Sequence, residues 1–399
     1  MRRITASGLL ALAATLALAA GSAAAVAAPG TPGNPAAASP QHPLLSISCV
    51  SAKSCMAVGE NAAAANHNGA VLAETWNGTR WRQTTIKAPP GSEGSRLTGV
   101  SCLSARSCIA VGSYFYSLPD ESIRNVPISE AWNGSTWRLT KMPQPAGSSA
   151  FAAAVSCVSA VRCVAVGELT TTTKQTAFAE VWNGTRWRLT KVSEPARSLS
   201  YFGSVSCTAA TRCIAVDLYN PRQLAESWNG TRWAVMKEPF APASGPSLAS
   251  VYCLKASFCV ATGSHYPNPK NFAALAETWN GRTWRPSAVP APGAGWADLT
   301  GVSCVSTKNC LAVGRYNFGV YENSGKAYAA GWNGRRWRLI RVPTPPGGKA
   351  TGSGSALYSV KCVSASDCIA VGEAGAEGGP GNGFSAIWNG RRWRFVAIA

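Results

Sequence analysis

Histidine is scarce in this chain of 399 residues, with three copies against fourteen cysteines and fifteen tryptophans. His42, His67 and His265 are too few to partner the cysteines in zinc-type clusters, whose ligands are closely spaced Cys and His. No Ser-His-Asp order, phosphate-binding glycine loop or H-E-x-x-H helix motif is present, which removes the commonest hydrolase and nucleotide signatures. Acids are also scarce, 18 Asp and Glu against 37 Lys and Arg. Beyond the extreme N-terminus no run of eighteen apolar residues occurs, so no later segment can span a membrane as a helix. Gly and Pro, 39 and 25 residues, are too few for collagen but suit a fold with many turns. What remains is 46% hydrophobic and rich in aromatics, too apolar for a disordered chain.

The N-terminus reads as an export signal. Arg2 and Arg3 precede a short apolar run over residues 9–20, and Ala25-Val26-Ala27 fits the small-x-small cleavage rule. Residues 1–27 are therefore expected to be a signal peptide, and residues 28–43 an Ala/Pro-rich linker. The mature protein is expected to be secreted and monomeric, with no membrane span. In an oxidising compartment an even number of cysteines is read first as disulfides.

One unit recurs seven times. Cysteines fall six positions apart as Cys49/Cys55, Cys102/Cys108, Cys157/Cys163, Cys207/Cys213, Cys253/Cys259, Cys304/Cys310 and Cys362/Cys368. Between them run seven copies of W-N-G-x-x-W, starting at Trp76, Trp132, Trp182, Trp228, Trp279, Trp332 and Trp388; only Trp296 lies outside the pattern. In the second copy, four strands are expected over residues 97–102, 108–112, 127–132 and 137–142 (a to d), with Asn133-Gly134 turning the last hairpin. Seven four-stranded units of about 50 residues predict an all-β, seven-bladed β-propeller over residues 44–399, with one intrablade disulfide per blade. Because the repeat begins with an a strand and finishes with a d strand, the ring is expected to close by packing, without strand exchange.

The unit resembles a kelch blade: a strand ending in glycine (Ile109-Ala110-Val111-Gly112), a variable loop, a strand, a turn, Trp137 and a later Pro. It has one glycine where kelch has two, and Trp132 near the kelch tyrosine. Its W-N-G-x-x-W turn is more distantly similar to the Asp-box turn of sialidase-like propellers, which carries an Asp and is one residue longer. The combined S-C-x(5)-C-x-A-V-G and W-N-G-x-x-W pattern resembles secreted repeat proteins typical of actinobacteria. That resemblance covers residues 44–399 and implies a fold but no activity. The copper chemistry of some kelch propellers needs histidine ligands and a free cysteine, whereas the blades hold only His67 and His265 and every cysteine has a partner; no cofactor or metal is expected.

Residues repeated in every blade are read as structural. The tryptophans are assigned to the core between blades, and Glu74, Glu130, Glu180, Glu226 and Glu277, each two positions before a tryptophan, to pairs with arginines. Specific chemistry is expected where blades diverge, on the b–c and d–a loops. The b–c loops of copies two (113–126) and six (315–328) carry Tyr114, Phe115, Tyr116, Tyr316, Phe318 and Tyr321. Candidate carboxylates there are Glu60, Asp120, Glu121, Glu168, Asp217 and Glu373, and a glycan-active hydrolase or lyase would need two of them to converge.

The charge points elsewhere. The seven cysteine turns and seven W-N-G-x-x-W-x turns, expected on one face, hold twenty Lys or Arg and a single acid, Asp367. Copies six and seven contribute Arg335, Arg336, Arg338, Arg391, Arg392 and Arg394. The favoured expectation is a non-catalytic binding or adhesion module whose partner is an anionic polymer or cell-surface glycan, held by these arginines.

Overall fold

The computed structural model describes residues 43–61, 69–193, 201–218, 225–237, 245–268, 271–293, 296–317, 325–345, 353–376 and 381–398. The expected signal peptide and almost all of the linker lie outside the described residues. The propeller forms as expected: seven separate four-stranded antiparallel sheets, each built from consecutive strands a, b, c and d. The described residues contain no free cysteine and no helix long and apolar enough to cross a membrane.

The disulfides follow the expected pairing. They are Cys49–Cys55, Cys102–Cys108, Cys157–Cys163, Cys207–Cys213, Cys253–Cys259, Cys304–Cys310 and Cys362–Cys368. Each joins directly opposed residues of strands a and b. Their depth differs from a simple staple at the rim of a turn. Cys108, Cys163, Cys213, Cys259 and Cys368 lie near the start of strand b, are only 1–4% exposed, and belong to the apolar layers between blades. The reason is that b is an inner strand, so a neighbouring blade covers the side chain that its turn would otherwise expose. These cysteines are core residues.

Blade one runs Leu44–Ser51, Ser54–Asn61, Ala70–Trp76 and Trp81–Thr84. Serine, alanine, leucine and valine are the commonest strand residues, and both faces of b and c are covered by neighbouring blades. The c–d hairpin turns on Asn-Gly, and the glycine has positive φ in every blade, 97° at Gly78 and 100° at Gly134. The asparagine supplies the rest of the turn. Asn77 Oδ1 accepts the N–H groups of Thr79 and Arg80, both at 3.0 Å, and the same pair of bonds recurs in the other six blades.

A register shift in strand a brings its backbone against the last glycine of C-x-A-V-G. A Cβ on Gly112 would lie 2.0 Å from the Arg96 carbonyl oxygen, and one on Gly314 2.0 Å from that of Asp298. Blade four alone carries a side chain there. Asp217 is fully buried, and its Oδ2 accepts the Tyr201 N–H at 3.0 Å.

Each blade packs on the next through an apolar layer, and the ring closes the same way. Leu44, Ile47, Leu72, Trp76 and Trp81 of blade one cover Ile369 and Val371 of blade seven. Fully burying each such leucine or isoleucine stabilises by about 2 kcal/mol. Hydrogen bonds add direction: Trp81 Nε1–H donates to Ser385 Oγ (2.8 Å) and the Ile47 N–H to Ser359 Oγ (3.3 Å). Closure therefore needs no exchanged strand.

The serine before the first cysteine has a role that the repeat alone did not disclose. Ser48 Oγ accepts the Cys102 N–H of the next blade (3.0 Å), and Ser101, Ser156, Ser206 and Ser303 accept from Cys157, Cys207, Cys253 and Cys362 at 2.9–3.0 Å. Neighbouring a strands are thus stitched together around the central channel.

Two further expectations need correction. In blade two the b and c strands are Ser107–Ser117 and Ile123–Trp132, so Tyr114, Phe115 and Tyr116 are strand residues and only 118–122 turn. Tyr114 opposes Val126 and Tyr116 opposes Arg124, because a run of aromatic residues favours continued cross-strand pairing. Likewise Tyr316 ends strand b of blade six (Asn309–Tyr316), while Phe318 and Tyr321 lie outside the described residues. The other correction concerns the strand-c glutamates, which face neighbouring blades: all five are 0–2% exposed. Among the described residues Glu130 and Glu180 have no arginine partner, and neither carboxylate oxygen of Glu180 meets a hydrogen-bond donor.

Candidate functional site

The tryptophans define the face on which the cysteine and tryptophan turns meet. Trp76 Nε1–H donates to the Ala52 carbonyl in the a–b turn at 3.0 Å, and five further blades make the same bond at 3.1–3.2 Å. The glycine of each c–d turn packs against the a–b turn of its own blade, Gly78 on Lys53 and Gly334 on Lys308. Both indoles of a blade are in contact, with ring centroids 5.4 Å apart for Trp76 and Trp81. The second tryptophan reaches the preceding blade, as where Trp137 Nε1–H donates to Thr84 Oγ1 (2.9 Å). Ten of the fourteen repeat tryptophans are buried core residues, Trp137, Trp279, Trp332 and Trp388 are half-buried, and together they lock both turns of a blade into one surface.

That surface carries the charge. All fourteen tryptophan-turn arginines and the six basic residues of the cysteine turns (Lys53, Arg106, Arg162, Arg212, Lys255, Lys308) are exposed. Asp367 is the one acid of those turns, and the Ser364 hydroxyl donates to it at 2.9 Å. Among the described residues none of the fourteen guanidinium groups is held in an ion pair. Arg335, Arg336, Arg338, Arg391, Arg392 and Arg394 all lie in the c–d turns of blades six and seven, which pack directly on each other. The hairpin explains their spacing. Two arginines stand at the turn and the third, Arg338 or Arg394, just beyond it, opposite Gly331 or Ile387 on strand c.

Concavity on this side lies elsewhere. A pocket of about 700 Å³ lies where strand d of blade three (Trp187–Thr190) meets the tryptophan turn of blade four. It is lined by Arg188, Lys191, Arg232, Trp228 and Trp233. A second, of about 330 Å³, lies between blades four and five beside Arg212, Lys237 and Trp279. Both combine cations with indole surface. Counting along the sequence finds the arginines but not these pockets, because a pocket depends on how neighbouring blades meet.

Four of the six candidate carboxylates expected on the opposite face, Asp120, Glu168, Asp217 and Glu373, are engaged separately. Glu168 accepts the Thr170 hydroxyl (2.7 Å), Asp120 the Ser122 hydroxyl (2.6 Å) and Glu373 the Tyr358 hydroxyl. Asp120 is held below the usual carboxylate range by those Ser122 bonds. Asp217 is inside blade four. Among the described residues no three His, Cys, Asp or Glu side chains are grouped to hold a metal ion.

The sequence matches no protein-family model and no curated protein. Solved structures share the fold. YCF48 bound to a D1 peptide is 12% identical, with a TM-score of 0.51 over 90% of this chain and 93% of that one. YCF48 from Cyanidioschyzon merolae is 13% identical, with a TM-score of 0.51 over 88% and 96%. A polysaccharide lyase, ulvan lyase bound to -[GlcA(1-4)Rha3S]-, is 8% identical, with a TM-score of 0.50 over 88% and 94%. At these identities the likeness is one of fold: the chain is similar to propellers of which one binds a peptide and another is a polysaccharide lyase.

Proposed function

We propose that the protein is a secreted, non-catalytic binding module that holds an anionic polymer on its turn face. Cell-wall polymer, acidic polysaccharide and extracellular DNA share the chemistry such a face would recognise. The observation that carries this reading is the asymmetry of charge: twenty exposed basic side chains and one acid in the turns. The rest of the chain after residue 27 holds fifteen basic and seventeen acidic residues. Cations at this density raise the local concentration of a polyanion and bind it by displacing its counterions. Guanidinium groups also pair with sulfate, phosphate or carboxylate through two parallel hydrogen bonds. Seven disulfides fit an oxidising environment outside the cell. Glycan cleavage has less support, since Asp120, Glu168, Asp217 and Glu373 are each engaged within their own blades.

Replacing Arg335, Arg336, Arg391 and Arg392 by Glu shifts the local charge by eight and leaves every core contact in place. The variant is expected to elute from heparin or teichoic-acid resin at distinctly lower salt than wild type, with an unchanged thermal midpoint. Equal retention of the folded variant would show that the arginines only solvate the surface.

A further inference from the structure

The channel along the propeller axis is lined by the a strands of all seven blades and encloses about 250 Å³. One position of the repeat, the residue before the first cysteine, lines it in six blades, as Ser48, Ser101, Ser156, Ser206, Tyr252 and Lys361, while Ser303 of blade six lies behind it. Two of the seven break the serine pattern, and these two meet. Lys361 Nζ donates to the Tyr252 hydroxyl at 3.1 Å and lies 4.6 Å from the centre of its ring. The pair reaches from blade seven to blade five, past blade six, whose Ser303 is fully buried.

Lys361 is the only charged side chain among the channel-lining residues, and no carboxylate of a described residue lies within ion-pairing distance of it. Tyr252 offers only a neutral hydroxyl and an aromatic face. A half-buried ammonium without a counter-charge is a site that an anion would stabilise. The serines favour the same sign of charge. Ser48, Ser101, Ser156 and Ser206 each use an oxygen lone pair to accept the next blade's N–H, and none donates its own proton to a described residue. A hydroxyl that has already accepted still has its O–H to give. We infer that the channel binds one tetrahedral oxyanion, phosphate or sulfate, with Lys361 as the charged anchor and the serine and Tyr252 hydroxyls as donors. The channel is small for an organic cofactor, but an oxyanion with its waters fits. The site uses none of the turn arginines and does not rest on the polymer-binding reading.

The test is a titration of the intact protein with inorganic phosphate at constant ionic strength, chloride being the exchanged ion. Wild type is expected to show one saturable site. Lys361→Ser restores the repeat residue, which in five blades accepts the next blade's N–H, and should fold while weakening phosphate at least tenfold. Lys361→Gln, which keeps most of the stem, should lose binding to the same degree. The quadruple arginine reversal should retain the site, so its failure and that of the arginine face are told apart. Methyl phosphate binding as well as inorganic phosphate would support capture of a chain terminus, and inorganic phosphate alone a free anion. No saturable site in wild type, or one of equal strength in both Lys361 variants, would overturn the assignment.

Discussion

Complete reduction of the seven disulfides is expected to unfold the propeller at 37 °C. Each bridge closes a hairpin loop of seven residues, for which loop-closure entropy gives about 2 kcal/mol of stabilisation. Seven such contributions, even if only partly additive, are comparable to the whole stability of an ordinary domain, about 5–15 kcal/mol. The pairs also sit against the inter-blade core; Cys304 and Cys310 are 1% and 2% exposed and pack in the layer that joins blades five and six. Circular-dichroism melts with and without a strong reductant, under conditions that open all seven bridges, would measure the effect. Superimposable melts would mean that packing alone holds the ring.

The second large effect is one of pH, and it comes from the buried glutamates. Glu180 stands on the same side of its strand as Phe178 and Trp182, against blade two, and burial pushes its carboxyl up to about 9. Burial raises Glu130 to about 7. In the unfolded chain both ionise near 4.5. The folded protein therefore binds more protons above pH 4.5. The contribution of each group is fully present below that pH and is lost as pH rises toward its folded value. One group holding its proton against solution costs about 1.4 kcal/mol per pH unit. Between pH 5 and pH 8, wild type is expected to lose up to about 4 kcal/mol through Glu180 alone. Glu180→Gln removes the titration while keeping the shape, so its unfolding free energy should change correspondingly less over that interval. Denaturant melts of both proteins at pH 5 and pH 8 measure the difference. Parallel pH dependence would show that Glu180 is ionised in the folded state.

The architecture was legible because each repeated residue has a local job that shows in spacing. Asn77 and Gly78 close a hairpin, Cys49 and Cys55 face each other across another, and one turn between two tryptophans sets them side by side. How deep the second cysteine of each pair goes was not legible, since spacing reports a partner along the chain and not a covering blade. Glu130 and Glu180 were misread as arginine-paired because glutamate is among the residues least often buried. The strand period held the correction: Leu72, Glu74 and Trp76 alternate onto one side, so a buried tryptophan implies a buried glutamate. Tyr252 and Lys361 were visible as the two departures from the S-C pair. Their meeting across blade six was not, because contact between blades five and seven depends on ring geometry. The pockets beside Arg188 and Arg212 escaped for the same reason.

The central proposal is that the turn face holds a polyanion by charge, and salt tests it most directly. A fluorescent heparin oligosaccharide should be titrated into the oxidised protein from 0.05 to 0.2 M NaCl. If at least four arginines displace counterions, log K should fall linearly with log salt at a slope of about −3 or steeper, which is roughly a hundredfold loss across the range. The quadruple arginine reversal should flatten that slope. A wild-type affinity that is absent at 0.05 M, or that does not change with salt, would contradict binding by the arginine face.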